Sequence, residues 1–498
     1  MLISGLALGA VLGFVMQRGR FCVTGFLRDI FTQRSWRGFV ALLIVISVHA
    51  IGLAALTSAG VITPEYNELA PVAVIVGGVI FGLGIVLAGG CASGTWYRSG
   101  EGLIGSWIAL VFYALSAAAM KTGFLGGLQN SLKDRTVGLT SIHASLGISI
   151  WPLVIALSSV TAYFAVRFLR EEFSGPRPVT LAPRKSGLAH ILAEKPWHVY
   201  ATAAIVGVLG VIAWPLSAAT GRNDGLGITT PSSNLANYVV TGDTERFDWG
   251  VLLVLGILVG SFIAAKASGE FRLRVPDATQ GARSVVGGIF MGVGAAWAGG
   301  CTVGNGMVQT SLFSYQGWLA LASIAAGVAI AAKLWLKPSA PSLNDVPSTP
   351  STTNDTAVSA TAPVASAATS PVSLPGSDSA GAGAGAAGTE ASPLAGSFAV
   401  APVALLDRSV VKQEDGKLKP LGGGRYELDT VGAVCPFPLI EAKDAINKIE
   451  VGEELVIPFD CTQATDAIPR WAAKDGHEVT NFEQTGEAGW TISVRRGR

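Results

Sequence analysis

A chain of 498 residues is long enough for two or three domains. Half of its residues are apolar and only 14% are charged, the composition of a chain that spends most of its length in a membrane. A net charge of +1 argues against nucleic acid or any other polyanion as a partner, and five cysteines, an odd number without the spacing of a small secreted domain, read as free thiols and not as a disulfide framework.

The amino terminus is apolar from Leu2, with no basic stretch and no small-residue cleavage pattern, so it is expected to be the first span and not a removable signal. Apolar runs fit for a bilayer fall at nine places, near residues 2–17, 37–59, 71–90, 102–120, 146–166, 198–217, 249–266, 284–299 and 316–336. The first loop carries Arg18, Arg20, Arg28, Arg34 and Arg37, whereas the second has Glu65 and Glu68 and no base. Loops 167–197 and 267–283 are basic as well. With nine spans these three basic loops share one side, which the positive-inside rule makes cytoplasmic. The expected topology has the amino end outside and the carboxyl end in the cytoplasm. Loop 121–145, with Lys121, Lys133 and Arg135, departs from that pattern.

One stretch occurs twice. Residues 77–95 read GGVIFGLGIVLAGGCASGT, and residues 287–305 read GGIFMGVGAAWAGGCTVGN. Gly82, Gly84, Ala88, Gly89, Gly90, Cys91 and Gly94 return as Gly292, Gly294, Ala298, Gly299, Gly300, Cys301 and Gly304. Glycine is the residue least inclined to hold a helical ladder, so each helix is expected to break at its Gly-Gly-Cys. Broken helices in a membrane line a cavity or are buried in protein, and matched Gly-interrupted segments in two halves of a chain point to a transport site near the midplane. The plainer alternative makes the glycines packing faces and the cysteines apolar fillers. A fainter echo joins Leu8, Gly9 and Gly13 to Leu255, Gly256 and Gly260 and suggests halves related by an inverted-topology axis.

From about Pro338 the chain turns to Ala, Ser, Pro, Thr and Gly, which cannot bury enough apolar area to fold and reads as a flexible tether. Residues 421–498 regain alternating and helical patterns in the order β-α-β-α-β-β, a small two-layer α/β sandwich. The expected division is a membrane domain at 1–337, a linker at 338–420 and this sandwich at 421–498.

Cys22 ends the stretch Gln17-Arg18-Gly19-Arg20-Phe21-Cys22 at the foot of the first span, and Cys91 and Cys301 follow the twin glycines. All three therefore mark expected helix breaks. A thiol is a weak donor and a polarisable acceptor, suited to hold a soft anion without trapping it. Arg18, Arg20 and Arg98 stand close enough in sequence to gather anions at the mouths. In the tail, Cys435 is expected at the N-cap of the first sandwich helix with Pro436 at its first position, where orphan N–H groups stabilise a thiolate. Cys435 is thus the candidate nucleophile. Cys461 is expected to open the second helix as a resolving thiol, a second sulfur acceptor or neither. These two with His477 lack a fourth ligand and a metal-site spacing, and no phosphate-binding loop is present, so neither a metal nor another cofactor is expected.

On the Gln17 to Cys22 stretch and the two Gly-Gly-Cys segments, residues 1–337 resemble the YeeE/YedE family of membrane proteins. That resemblance implies thiosulfate uptake across the bacterial inner membrane, with Cys22, Cys91 and Cys301 passing the ion along by S–H to sulfur hydrogen bonds. Cys435-Pro436-Phe437-Pro438 is similar to the start of TusA-like domains of the SirA and YeeD type. It implies that Cys435 carries or attacks sulfur, with the domain acting at the cytoplasmic exit of its own transporter. A membrane-anchored sulfurtransferase that does not transport, and a transporter of another small sulfur or selenium species, remain open at this stage.

Overall fold

The computed structural model describes residues 2–336 and 418–497; the expected tether lies outside the described residues except for 418–420. The helices are α1 (Ile3–Arg18), α2 (Val23–Thr32), α3 (Arg37–Ser58), α4 (Pro71–Leu87), α5 (Ala92–Gly100), α6 (Ile104–Lys121), α7 (Gly126–Lys133), α8 (Ile142–Ser145), α9 (Trp151–Ser174), α10 (Gly187–Ala193), α11 (Val199–Ala218), α12 (Thr229–Thr241), α13 (Trp249–Ser268), α14 (Ala278–Ala298) and α15 (Tyr315–Trp335), with a short π-helix at Gly304–Gln309 before the last. Among the described residues, eight helical stretches are long and apolar enough to cross a bilayer: α1 with α2, α3, α4 with α5, α6, α9, α11, α13 and α15. The expected ninth span, α14, is not among these eight by length and composition, although it lies antiparallel along the spanning α4 from Gly77 to Gly84. Thr279, Gln280, Arg283 and Ser284 occupy its first turns, so its apolar run from Val285 to Ala298 is shorter than the ~20 residues a spanning helix needs.

The sequence repeat is a repeat of packing. The segments α1 to α6 correspond to α11, α12, α13, α14, the π-helix and α15, and the interfaces come in matched pairs: α1 on α13 with α11 on α3, α2 on α15 with α12 on α6, α5 on α13 with the π-helix on α3, and α6 on α14 with α15 on α4. The twin helices α4 and α14 pack on each other at the centre. There a Cβ on Gly77 would meet Ala298 and Gly294, and one on Gly84 would meet Met291 and Gly287, so the two helices cross antiparallel. Two equivalent helices related this way require a two-fold axis across them, which is an inverted-topology repeat.

The glycines upstream of each Gly-Gly-Cys are therefore packing faces after all, and the breaks exist as well. Small residues let backbones approach where lipid removes the usual hydrophobic drive. The fainter echo has a different meaning from the one expected. Gly9 and Gly13 of α1 lie against Leu253, Gly256 and Ile257 of α13, and Gly256 and Gly260 lie against Leu6 and Ala10, so these positions face each other and are not equivalent. A methyl group at Gly260 would run into the Ala10 carbonyl. Gly260→Ala is expected to destabilise the helical core by about 1–3 kcal/mol, read as a lower thermal midpoint in detergent.

Helix α9 stands outside the repeat, packs on α3, and exposes Ile155, Val160, Tyr163 and Val166, a surface suited to lipid.

The carboxyl-terminal segment folds as β1 (Leu418–Gly422), β2 (Arg425–Leu428), α16 (Phe437–Ile446), β3 (Glu454–Phe459), α17 (Ala464–Lys474), β4 (Glu478–Gly486) and β5 (Gly489–Arg495). The sheet order is β1-β2-β3-β5-β4, with β2 and β3 parallel and the other pairs antiparallel. One strand more than expected opens the sheet. Lys419, Pro420 and Gly422 conceal it in the sequence, because Pro and Gly are poor strand formers, and as an edge strand it needs bonds on one side only. Leu455, Ile457, Phe459, Ile492 and Val494 alternate inward to meet Leu439, Ala442, Ile446, Ile468 and Ala472 of the two helices.

Candidate functional site

The three membrane cysteines share one local device. The helix before each of them is followed by a left-handed residue, and the cysteine comes two positions later: Gly89 (φ 72°) before Cys91, Gly299 (φ 79°) before Cys301 and Arg20 (φ 49°) before Cys22. A left-handed cap normally calls for glycine. Arg20 holds that conformation at a cost in backbone strain, with its N–H donated to the Gln17 carbonyl and the Phe21 N–H donated to that of Met16. Beyond each break the chain turns helical again, with Cys22 capping α2 and Cys91 capping α5.

Cys22 and Cys91 come together. A Cβ built on Gly94 would lie 3.3 Å from the Cys91 sulfur and 3.7 Å from the Cys22 sulfur, so glycine there leaves the two thiols room side by side. Arg98 donates from one nitrogen to the Gly89 carbonyl and from the other reaches the Cys22 sulfur at 3.9 Å. All three side chains are buried. Cys301, equally buried, belongs to the other end of the central crossing: the antiparallel register sets Ala298 against Gly77, a dozen residues or roughly 18 Å of helix before Gly89. The helix after Cys91 also meets α12, where the Trp96 indole donates to Ser232. Tyr113 donates to Thr229 at 2.8 Å.

Arg18 and Arg20 do not stand free at a mouth. Both pair with the buried Glu270, at 3.4 and 3.0 Å, and Gln17 donates to the same carboxylate at 2.6 Å. Burial pushes the Glu270 carboxyl up, and Arg20, Arg18 and the Gln17 amide more than reverse it, holding it below the usual carboxylate range. Of the three arginines singled out in the sequence, Arg98 alone lies against a thiol. No sequence signal marks Glu270, because its partners lie about 250 residues away.

In the carboxyl-terminal segment Pro436 caps α16 and Phe437 starts it, so Cys435 sits one residue earlier than expected, and α17 begins at Ala464, with Cys461 in the turn before it. The cysteines are brought together as a disulfide with their Cα atoms 6.2 Å apart. Cys435 and Cys22 line one cavity of about 1300 Å³, together with Arg20, Arg28, Glu172, Glu270, Thr465 and Arg470. Around it Arg20 donates to Thr465, Arg470 pairs with Glu172 at 2.8 Å, and the Ala488 N–H donates to the Gly269 carbonyl at 3.0 Å. Val434, beside Cys435, is the residue a Cβ on Gly89 would approach. Loops 18–37, 167–197 and 267–283 touch one another, through Arg18 on the Glu194 carbonyl, Arg37 on Glu172 and Arg20 on Glu270.

Residues 18–330 match the profile of the family described as Sulphur transport. The chain belongs to that family. Residues 426–496 match Sulfurtransferase TusA, so a Sulphur transport domain and a TusA-like domain share one multi-pass membrane chain. The Sulphur transport part is 51% identical over 328 residues to the thiosulfate transporter TsuA of Escherichia coli (strain K12), spanning 66% of this chain and 93% of that protein. It is 32% identical over 337 residues to the thiosulfate transporter TsuA of Spirochaeta thermophila, spanning 64% of this chain and 94% of that protein. The TusA-like part is 59% identical over 70 residues to TsuB of the same E. coli strain, a protein named as a sulfur carrier, spanning 14% of this chain and 93% of TsuB.

Proposed function

We propose that this member of the Sulphur transport family takes up thiosulfate across the bacterial inner membrane along a path marked by Cys301, Cys91 and Cys22, and delivers it to Cys435 of its own TusA-like domain. The observation that carries the reading is the line of sulfur from the break at Cys91, through its neighbour Cys22, to the cavity whose wall holds both Cys22 and Cys435. The basic side is cytoplasmic by the positive-inside rule, which sets the amino end outside, makes Cys301 the outer thiol and sets the carboxyl-terminal domain at the exit. Thiols hold the sulfane sulfur weakly enough to release it, and Arg98 supplies positive charge beside the inner pair.

At the exit, the Cys435 thiolate attacks the sulfane sulfur. The S–S bond of thiosulfate breaks, sulfite leaves with the bonding pair, and the cysteine keeps the sulfur as a persulfide. Cys461 is near enough to displace that sulfur as hydrosulfide and close the disulfide, which two equivalents of a low-molecular-weight thiol then reduce, leaving as their own disulfide and restoring the nucleophile. Removing thiosulfate at the exit keeps inward flow downhill.

The test is uptake of ³⁵S-thiosulfate by the purified full-length chain in proteoliposomes. Time-dependent accumulation above empty liposomes is expected, undiminished by equimolar sulfate, and Cys435→Ser is expected to admit label without breaking it down. Sulfur transfer by an intact, monodisperse protein that accumulates no label would leave only an anchored sulfurtransferase.

A further inference from the structure

A hydroxyl follows each membrane cysteine within two residues: Thr24 after Cys22, Ser93 after Cys91 and Thr302 after Cys301. Other hydroxyls of these segments are occupied by carbonyls of their own turns, Thr95 by Ala92, Ser99 by Thr95, Thr310 by Gly306 and Met307, and Ser311 by Val308. Thr24 and Thr302 differ. Both are buried, at 2% and 0% exposure, and neither hydroxyl has a hydrogen-bond partner among the described residues. Ser93 has the Cys91 sulfur, at 3.5 Å. Other buried side-chain atoms among the described residues also lack a partner, the Ser158, Tyr200 and Ser284 hydroxyls and both His49 ring nitrogens among them, but none of these residues stands within two positions of a membrane cysteine.

A buried hydroxyl without a partner is unfavourable unless a ligand supplies the missing bond. Thiosulfate is two-ended, a soft sulfur and three hard oxygens. A thiol matches the first, and a buried hydroxyl one or two residues further along the chain matches the second. We infer that Thr24 and Thr302, with Ser93, bind the sulfonate oxygens of the passing ion, so that each station along the path is a thiol with a hydroxyl. This rests on the thiol-path reading above and adds to it the residues that would separate a thio-oxyanion from sulfide, which has no oxygen to offer.

Labelled thiosulfate uptake as a function of concentration tests it, in the full chain carrying Thr24→Val, Thr24→Ala, Thr302→Val or Thr302→Ala, with Thr24→Ser and Thr302→Ser as conservative partners. Valine keeps the shape and alanine adds no bulk, so a packing fault in one does not decide the outcome. Loss of either hydroxyl is expected to raise the half-saturating concentration about tenfold with a smaller change in maximal rate, and serine is expected to restore it to within about twofold. A purely structural threonine would lower the amount of folded protein and leave half-saturation alone. Half-saturation unchanged in the valine and alanine variants, while Cys91→Ala is inactive, overturns the hydroxyl assignment only. Wild-type uptake by Cys91→Ala overturns the thiol path beneath it.

Discussion

Cys91→Ala is expected to bring thiosulfate uptake down to the background of cells without the transporter. The substitution removes one buried sulfur and little else. The small void beside Gly94 costs the fold about 1 kcal/mol, so the variant should reach the membrane in normal amounts. The loss then falls on the path, because Cys91 sits where α4 has come apart, next to Cys22 and two turns from Arg98. On the proposed path, a sulfur-bearing ion would then meet an apolar methyl where it otherwise finds the Cys91 sulfur. Cys91→Ser separates softness from hydrogen bonding: a hydroxyl donates but is hard, so uptake should recover only in part. The measurement is initial ³⁵S-thiosulfate uptake normalised to immunoblotted protein. Uptake equal to wild type in Cys91→Ala would remove the thiol path.

Much of this arrangement could be read from the chain itself. The twin Gly-Gly-Cys segments gave both breaks, because glycine at a left-handed cap leaves a visible mark in sequence. The break before Cys22 uses Arg20 in the same conformation, and there only the cysteine hinted at it. The antiparallel crossing of α4 and α14 was not legible, since a repeat shows that two segments are alike and not how they meet. For the same reason Gly9 and Gly256 looked like copies when they are partners. In the tail, helix starts slipped by one or two residues at Cys435 and Cys461, because hydrophobic spacing shows that a helix is present without marking its first residue. The two cysteines are 26 residues apart in sequence and meet only because β2 and β3 lie side by side and each runs into one of their loops. Glu270 is the clearest case of a residue that no pattern announces, a single acid whose meaning comes from Gln17, Arg18 and Arg20 of another helix end.

Glu270→Ala is expected to destabilise the protein by about 3–5 kcal/mol, the usual result of stripping one partner from a buried charge cluster. Arg18 is 1% exposed and would keep only the Glu194 carbonyl and Gln17, and Arg20 would keep only Thr465. Arg20 is also the strained residue that turns the chain toward Cys22, so its loss of an anchor should loosen the exit as well as the fold. Glu270→Gln preserves the shape and lets acid serve as a second probe. A carboxyl held below its ordinary value contributes stability that is fully present above the unfolded pKa of about 4.3 and is lost as pH falls through the lower folded value. Wild type should therefore lose an increment of stability below about pH 4 that Glu270→Gln, already without the charge, does not. Thermal midpoints in detergent at pH 7 and at pH 3.5 measure both effects. Equal midpoints for wild type and Glu270→Ala at pH 7 would show that the two arginines find other partners, and the link from Glu270 through Arg20 to the Cys22 turn would fail with them.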